Sequence, residues 1–369
     1  MKKKIFAAVV AAAMVLGLAA CGNGSDSEET KAAETKAAET EAAETEAAET
    51  EAAETEAAET EAAETEAAET EAAETKAAAG DGEITIGWLQ KNQTNAFEIV
   101  INRGGEAVLE KAKADGVIKE YYLFDGQTDP SVQVSQANDL VNLGVDAVII
   151  QPAELDGSAP AVDILHDAGI PVVLVNSLTS NADECEGLAQ SDDVEAGEIM
   201  ANYILEQCGE TGKYCHAQGV IGNTAAINRT QGIHNVMDQQ SGWEMLEEQS
   251  AEWLADKASK FAQDWINLYG DELTAIVCDN DDMAVAVRLA CIEANREDIV
   301  VIGVDATEAA LAMVADGELG ASVRQDGTTQ GATAVEMAIA LAKGETLANR
   351  EEIIPFELVT IDNVKNFID

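Results

Sequence analysis

Residues 83–369 predict a doubly wound α/β protein folded as two lobes. Short apolar runs alternate with longer stretches of helical period from Glu83 onward, and the runs are apolar enough on both faces to be strands of parallel sheets. Near 290 residues, the segment exceeds what one core comfortably serves. Polar side chains also stand directly after several strands, where open α/β sheets bind ligands.

The elements follow in order. Strands are expected at Ile84–Trp88, Glu120–Phe124, Ala147–Ile150 and Pro171–Val175, with helices at Glu98–Ala114, Val132–Leu143 and Gly157–Asp167 between or after them. The second half repeats the alternation. Strands are expected at Tyr214–Val220, Ala275–Cys278, Val300–Val304 and Gly320–Val323, and helices at Asp193–Cys208, Ala258–Tyr269 and Asp281–Ala294.

Val175 is followed by Asn176, Cys278 by Asp279 and Asn280, Val304 by Asp305, and Val323 by Arg324 and Gln325. If two lobes face each other, these strand ends offer carboxylates and amides to one crevice, and such groups both donate to and accept from hydroxyls. The competing role is capping of the helix that follows, which suits Asp279 best.

The start of the chain reads as an address. Lys2, Lys3 and Lys4 precede an apolar stretch from Ile5 to Leu18 that is too short to span a bilayer, and Leu18-Ala19-Ala20-Cys21 closes it. Residues 1–20 are therefore an expected export signal. Cys21 resembles the lipid-carrying cysteine of a bacterial lipobox, which would tether the chain to the outer face of a membrane.

Residues 31–75 repeat a five-residue Lys/Glu-Ala-Ala-Glu-Thr unit without a large apolar residue, so they cannot bury a core. Residues 21–82 read as an acidic spacer, whose repeats would reach about 70 Å as helix and about 150 Å extended. The formal charge is -49. Nineteen acids and three lysines in residues 26–79, with three lysines in the leader, leave -36 on residues 80–369. That field argues against nucleic acid as a partner. Cys185, Cys208, Cys215, Cys278 and Cys291 are odd in number and lack a CxxC pair, so neither a disulfide framework nor a zinc site is expected. The spacing leaves a Cys208–Cys215 bridge open.

Four stretches resemble the sugar-binding type I periplasmic binding proteins: the run from Gln136 to Pro152, Gly169 to Asn176, Asp279 to Ala284, and Val301 to Ala306. The resemblance implies two Rossmann-like three-layer lobes with mostly parallel sheets, joined by three hinge crossings near Ser191, Gln325 and Phe356. It places 83–191 plus 326–356 in one lobe and 192–325 plus 357–369 in the other. It also implies a monomer that encloses a pentose or hexose, and an ABC importer permease as its partner. The same fold serves as a sensor that presents sugar to a membrane signalling protein, or as a binder of a polyol, inositol or sugar acid.

By resemblance, Phe97 and Trp253 stack on opposite faces of the sugar ring and Asn95 lies beside Phe97. Arg229, Asn176, Asn280, Asp305 and Gln325 match hydroxyl-binding positions. Ser177, Ala225 and Glu98 depart from the family pattern, replacing a basic residue, an aspartate and a second aromatic. Lys91, where a small polar residue or tyrosine is usual, either supplies the charge missing at 177, to a hydroxyl or to an acidic ligand group, or is an exposed lysine at a strand end.

No G-x-S-x-G, H-E-x-x-H or G-x-x-x-x-G-K-[ST] occurs, and His166, His216 and His234 sit in unrelated contexts, so no enzyme is expected. Asp281 and Asp282 point apart on a helix and make a poor catalytic pair. No calcium loop is present, and neither a metal nor a cofactor is expected.

Overall fold

The computed structural model describes residues 82–368. The signal, Cys21 and the spacer lie outside them. Chain order is β1 (Ile84–Gln90), α1 (Ala96–Ala114), β2 (Ile118–Asp125), α2 (Pro130–Leu143), β3 (Ala147–Ile150), α3 (Ala159–Asp167), β4 (Val172–Val175) and β5 (Gly187–Gln190). It continues with α4 (Asp193–Cys208), β6 (Gly212–Gln218), α5 (Thr224–Met237), β7 (Trp243–Ser250), α6 (Ala255–Tyr269), β8 (Ala275–Cys278) and α7 (Asp281–Glu293). Last come β9 (Val300–Val304), α8 (Glu308–Ala315), β10 (Ala321–Arg324), α9 (Gly327–Ala342), β11 (Glu351–Ile353) and β12 (Glu357–Val359).

The strands form two sheets of matching order, β2-β1-β3-β4-β5-β11 and β7-β6-β8-β9-β10-β12. All pairings are parallel except that of β10 with β12. Alternating side chains bury both faces, as parallel sheets require. In the first sheet Ile84, Ile86 and Trp88 face Ile101 of α1 and Val335 of α9, while Leu89 faces Leu140 of α2 and Leu165 of α3. In the second, Tyr214 and Val277 face α4 and α5, and Cys215, Ile276 and Cys278 face α6, α7 and α8.

Within the residues described, four strands and three helices lie beyond those read from sequence. β7 is an edge strand, WEMLEEQS, with too little apolar alternation to announce itself. β11 and β12 are only three residues long, and β5, GLAQ, holds a single large apolar residue, so none of them forms an apolar run. The helices α5, α8 and α9 complete the layers.

The chain passes from the first sheet to the second between Gln190 and Asp193, returns between Arg324 and Gly327, and passes again between Ile353 and Glu357. Cys185, Cys208, Cys215, Cys278 and Cys291 are all free thiols, which removes the Cys208–Cys215 bridge. Among the described residues, no helix is long and apolar enough to cross a membrane.

Candidate ligand-binding site

Between the sheets' carboxyl ends lies a polar cavity. All nine side chains expected to meet ligand line it: Lys91, Asn95, Phe97, Asn176, Arg229, Trp253, Asn280, Asp305 and Gln325. Glu98, Ala225 and Asp282 line it too.

Each wall is placed by local chain geometry. Asn176 follows β4 with φ 68°, Asp305 follows β9 with φ 123°, and Trp253 precedes α6 with φ 65°. Non-glycine residues rarely adopt such angles, and strain of this kind concentrates at functional sites. The Trp253 ring lies across Gly219, where a Cβ would fall 2.1 Å from the indole. Phe97, in the first turn of α1, packs against Gly327 at the start of α9.

Arg229 projects from α5 at a close crossing with α4. A Cβ on Gly197 would lie 2.2 Å from the Arg229 carbonyl, and one on Gly232 would lie 2.1 Å from that of Val194. This approach brings the guanidinium to Asp193, with Nε 2.9 Å and Nη2 2.8 Å from Oδ1. Nη1 donates to the Asp279 carbonyl, and Nη2 donates to Gln325 Oε1 at 3.0 Å. The guanidinium also stands 5.9 Å from the ring centres of both Trp253 and Phe356. Burial opposes its charge, but Asp193, Asp305 and Asp279 outweigh burial and hold it firmly protonated.

The floor of the first lobe is a hydrogen-bonded chain. Gln151 Nε2 donates to Glu98 and, at 3.4 Å, to Asn176 Oδ1. Asn176 Nδ2 donates to Gln330 Oε1 at 3.2 Å, and Gln330 Nε2 donates to Ser191 Oγ at 2.7 Å. The cavity is thereby connected to a crossing between the lobes. Lys91 lines the cavity, but its Nζ lies 3.3 Å from Glu98 Oε1, with both side chains buried, and 5.3 Å from the Trp253 ring centre. The expected spare cation is thus paired with the residue that replaces the second aromatic.

Asn280 plays both roles weighed for it: its Oδ1 caps α7 by accepting from Met283 N at 3.0 Å, and the residue lines the cavity. Asp279, expected to cap the helix, does not, because Asn280 holds the capping position. Asp279 Oδ1 meets His216 Nε2 at 2.8 Å and its Oδ2 accepts from Gly219 N at 2.8 Å, which fixes the loop beneath Trp253. His216 Nδ1 is 3.1 Å from Glu248 Oε2, and His234 Nε2 is 3.2 Å from the same oxygen, so two histidines read as unrelated share one carboxylate. Burial would depress the His216 pKa, but Asp279 and Glu248 prevail and raise it to about 9.

Burial drives the Asp305 carboxyl well above its ordinary range; Arg229 pulls it back in part, and Asp281, Asp282 and Glu98 push it further up. Asp282 is raised by burial, against the lowering effect of the nearby Ala96 main-chain N–H. Three hydrogen bonds span the two lobes: Leu155 N to Gly222 O at 2.8 Å, Asn223 Nδ2 to Ala153 O at 3.0 Å, and Leu178 N to Thr224 Oγ1 at 2.9 Å.

Two α/β lobes that meet around a polar cavity with aromatic walls, connected by three crossings, define a hinged solute receptor. Residues 86–346 match the family model described as a periplasmic binding protein domain, and the chain belongs to that family. A Rhizobium meliloti protein named "Putative rhizopine-binding protein" is 36% identical over 260 residues, covering 69% of this chain and 83% of that one. A xylitol-binding protein of Mycolicibacterium smegmatis is 31% identical over 264 residues, covering 72% and 74%. Among solved structures, an ABC transporter solute binding protein from Bacillus halodurans with bound myo-inositol superposes with TM-score 0.73 at 28% identity, covering 78% of this chain and 98% of that one.

Proposed function

We propose that this chain is an extracytoplasmic receptor that captures a monosaccharide or related polyol by closing its lobes, is held to the membrane by lipid on Cys21, and delivers ligand to an ABC importer. The observation that carries the reading is the single cavity in which aromatic Phe97 and Trp253 share the walls with amides and carboxylates from both lobes. Aromatic faces suit the C–H faces of a sugar ring, and the polar groups suit its hydroxyls. Ligand that touches both lobes favours the closed arrangement over the open one. The names of the relatives, which include binders of a polyol, support the same class.

A thermal-shift panel of pentoses, hexoses, inositols and sugar acids, with amino acids as controls, tests the reading. A true ligand at a hundredfold excess over Kd adds about 2.7 kcal/mol. Stabilisation by amino acids alone would defeat it. For the tether, Cys21→Ser is expected to move the chain from the membrane fraction to the soluble one.

A further inference from the structure

Asp305 lines the cavity from a backbone that few side chains accept: φ is 123° at Asp305 and 56° at Ala306, two successive residues without glycine's freedom. What holds that turn lies behind the wall. Asp305 N donates to Val323 O at 2.8 Å, continuing the pairing of β9 with β10, but the next two N–H groups turn elsewhere. Ala306 N donates to Ser322 Oγ at 2.9 Å, and Thr307 N donates to Asp281 Oδ2 at 2.8 Å. Ser322 Oγ then donates to the same carboxylate, 2.8 Å from Oδ1 and 2.9 Å from Oδ2. Gly303 leaves room for it, since a Cβ there would fall 2.6 Å from Asp281 Oδ1. Ser322 and Asp281 are fully buried, and neither lines the cavity.

We propose that Ser322 and Asp281 are positioning residues for ligand binding, which hold the turn after β9 and so aim Asp305 into the cavity. The inference rests on the cavity being a ligand site and adds two residues that stand behind its wall. Strained backbone persists only where its surroundings over-determine it. Here a hydroxyl from β10 and a carboxylate from α7 fix two consecutive peptides. Helix α8 does not depend on them for its own cap, because Thr307 Oγ1 accepts from Ala310 N at 3.3 Å. Nor does the relay require a charge. Burial pushes the Asp281 pKa up, and with a proton on Oδ1 its Oδ2 still accepts from both donors. Without the Ser322 hydroxyl, Ala306 N loses its acceptor, and the turn relaxes toward ordinary angles that carry the Asp305 side chain out of place.

Ser322→Ala in the full chain tests this, read in two ways. Hydrogen exchange at the Ala306 and Thr307 amides should speed up by about tenfold or more, while the amides of β8 keep their protection. Affinity is read by ligand-observed NMR with D-ribose, xylitol and myo-inositol as probes, so that weak binding stays measurable. The probe that binds wild type best should bind Ser322→Ala about tenfold more weakly. Added to Asp305→Ala, the same substitution should cost less than about twofold, because the side chain being aimed is already gone. Melting of each ligand-free variant confirms that it folds. Unchanged exchange at both amides overturns the relay whether or not any probe binds. An affinity within about twofold of wild type, or an equal loss in both backgrounds, reduces the two residues to a role in stability and leaves the receptor reading standing. If neither these probes nor any sugar of the wider panel binds the wild type, the receptor reading falls and the role in binding falls with it.

Discussion

Replacing Thr224 with valine exchanges a hydroxyl for a methyl of similar size, and that hydroxyl lies between the lobes. Its Oγ1 accepts from the main-chain N–H of Leu178 at 2.9 Å, and Thr224 is buried. When the lobes part, the Leu178 N–H meets water; when they close on valine, it is buried without an acceptor. The penalty therefore falls on the closed state alone, at about 1–3 kcal/mol for an unsatisfied buried donor. At ~1.4 kcal/mol per decade, Kd should weaken by about 5- to 140-fold. Because the substitution opposes closure and not encounter, the loss should appear mainly in the dissociation rate. Calorimetry gives Kd, and stopped-flow tryptophan fluorescence gives the rates, with the sugar that stabilises the wild type most as probe. The melting temperature of the ligand-free variant should stay near that of the wild type. A Kd within twofold of wild type, a difference of about 0.4 kcal/mol, would refute the role assigned to this bond.

Two further outcomes follow from the site. Gly219→Ala should fold but bind at least about tenfold more weakly, because a Cβ 2.1 Å from the indole displaces Trp253 from the cavity wall; calorimetry with unchanged affinity would show that the wall is not used. His216, raised from 6.5 to about 9, binds its proton more tightly when folded, so its contribution is complete below about pH 6.5 and lost as pH rises through 9. The full contribution is about 3 kcal/mol, and urea midpoints should fall between pH 6.5 and 9.5 in the wild type but much less in His216→Gln.

The central strands β3, β8 and β9 were legible because burial on both faces leaves an uninterrupted apolar run. Ala147–Ile150, Ala275–Cys278 and Val300–Val304 coincide with β3, β8 and β9. The edge strand β7 was not, since one flank and much of its surface face solvent. The strand-end residues Asn176, Asn280, Asp305 and Gln325 could be read from alternation alone, whereas Phe97, Arg229 and Trp253 carry no local mark and came only with the family resemblance. Glu98 showed itself only as a departure from that pattern. Its pairing with Lys91 depends on the angle at which α1 leaves β1, which is a property of packing and not of spacing. The same holds for His216 and His234, brought to Glu248 from β6, α5 and β7. The left-handed backbone of Trp253 had no glycine to announce it.

Arg229 bonds Gln325 and stacks near Phe356, while Asn176 reaches Ser191 through Gln330. The residues that line the cavity are thus mechanically continuous with all three crossings. For a lineage acquiring a new nutrient, or an engineer retargeting the scaffold as a biosensor, this divides the cavity into two kinds of position. Changes at Ala225 alter the shape of a wall and leave the resting balance of open and closed forms largely alone. Changes at Arg229 or Asn176 alter taste and stiffness together, so they should succeed only alongside compensating substitutions at the crossings.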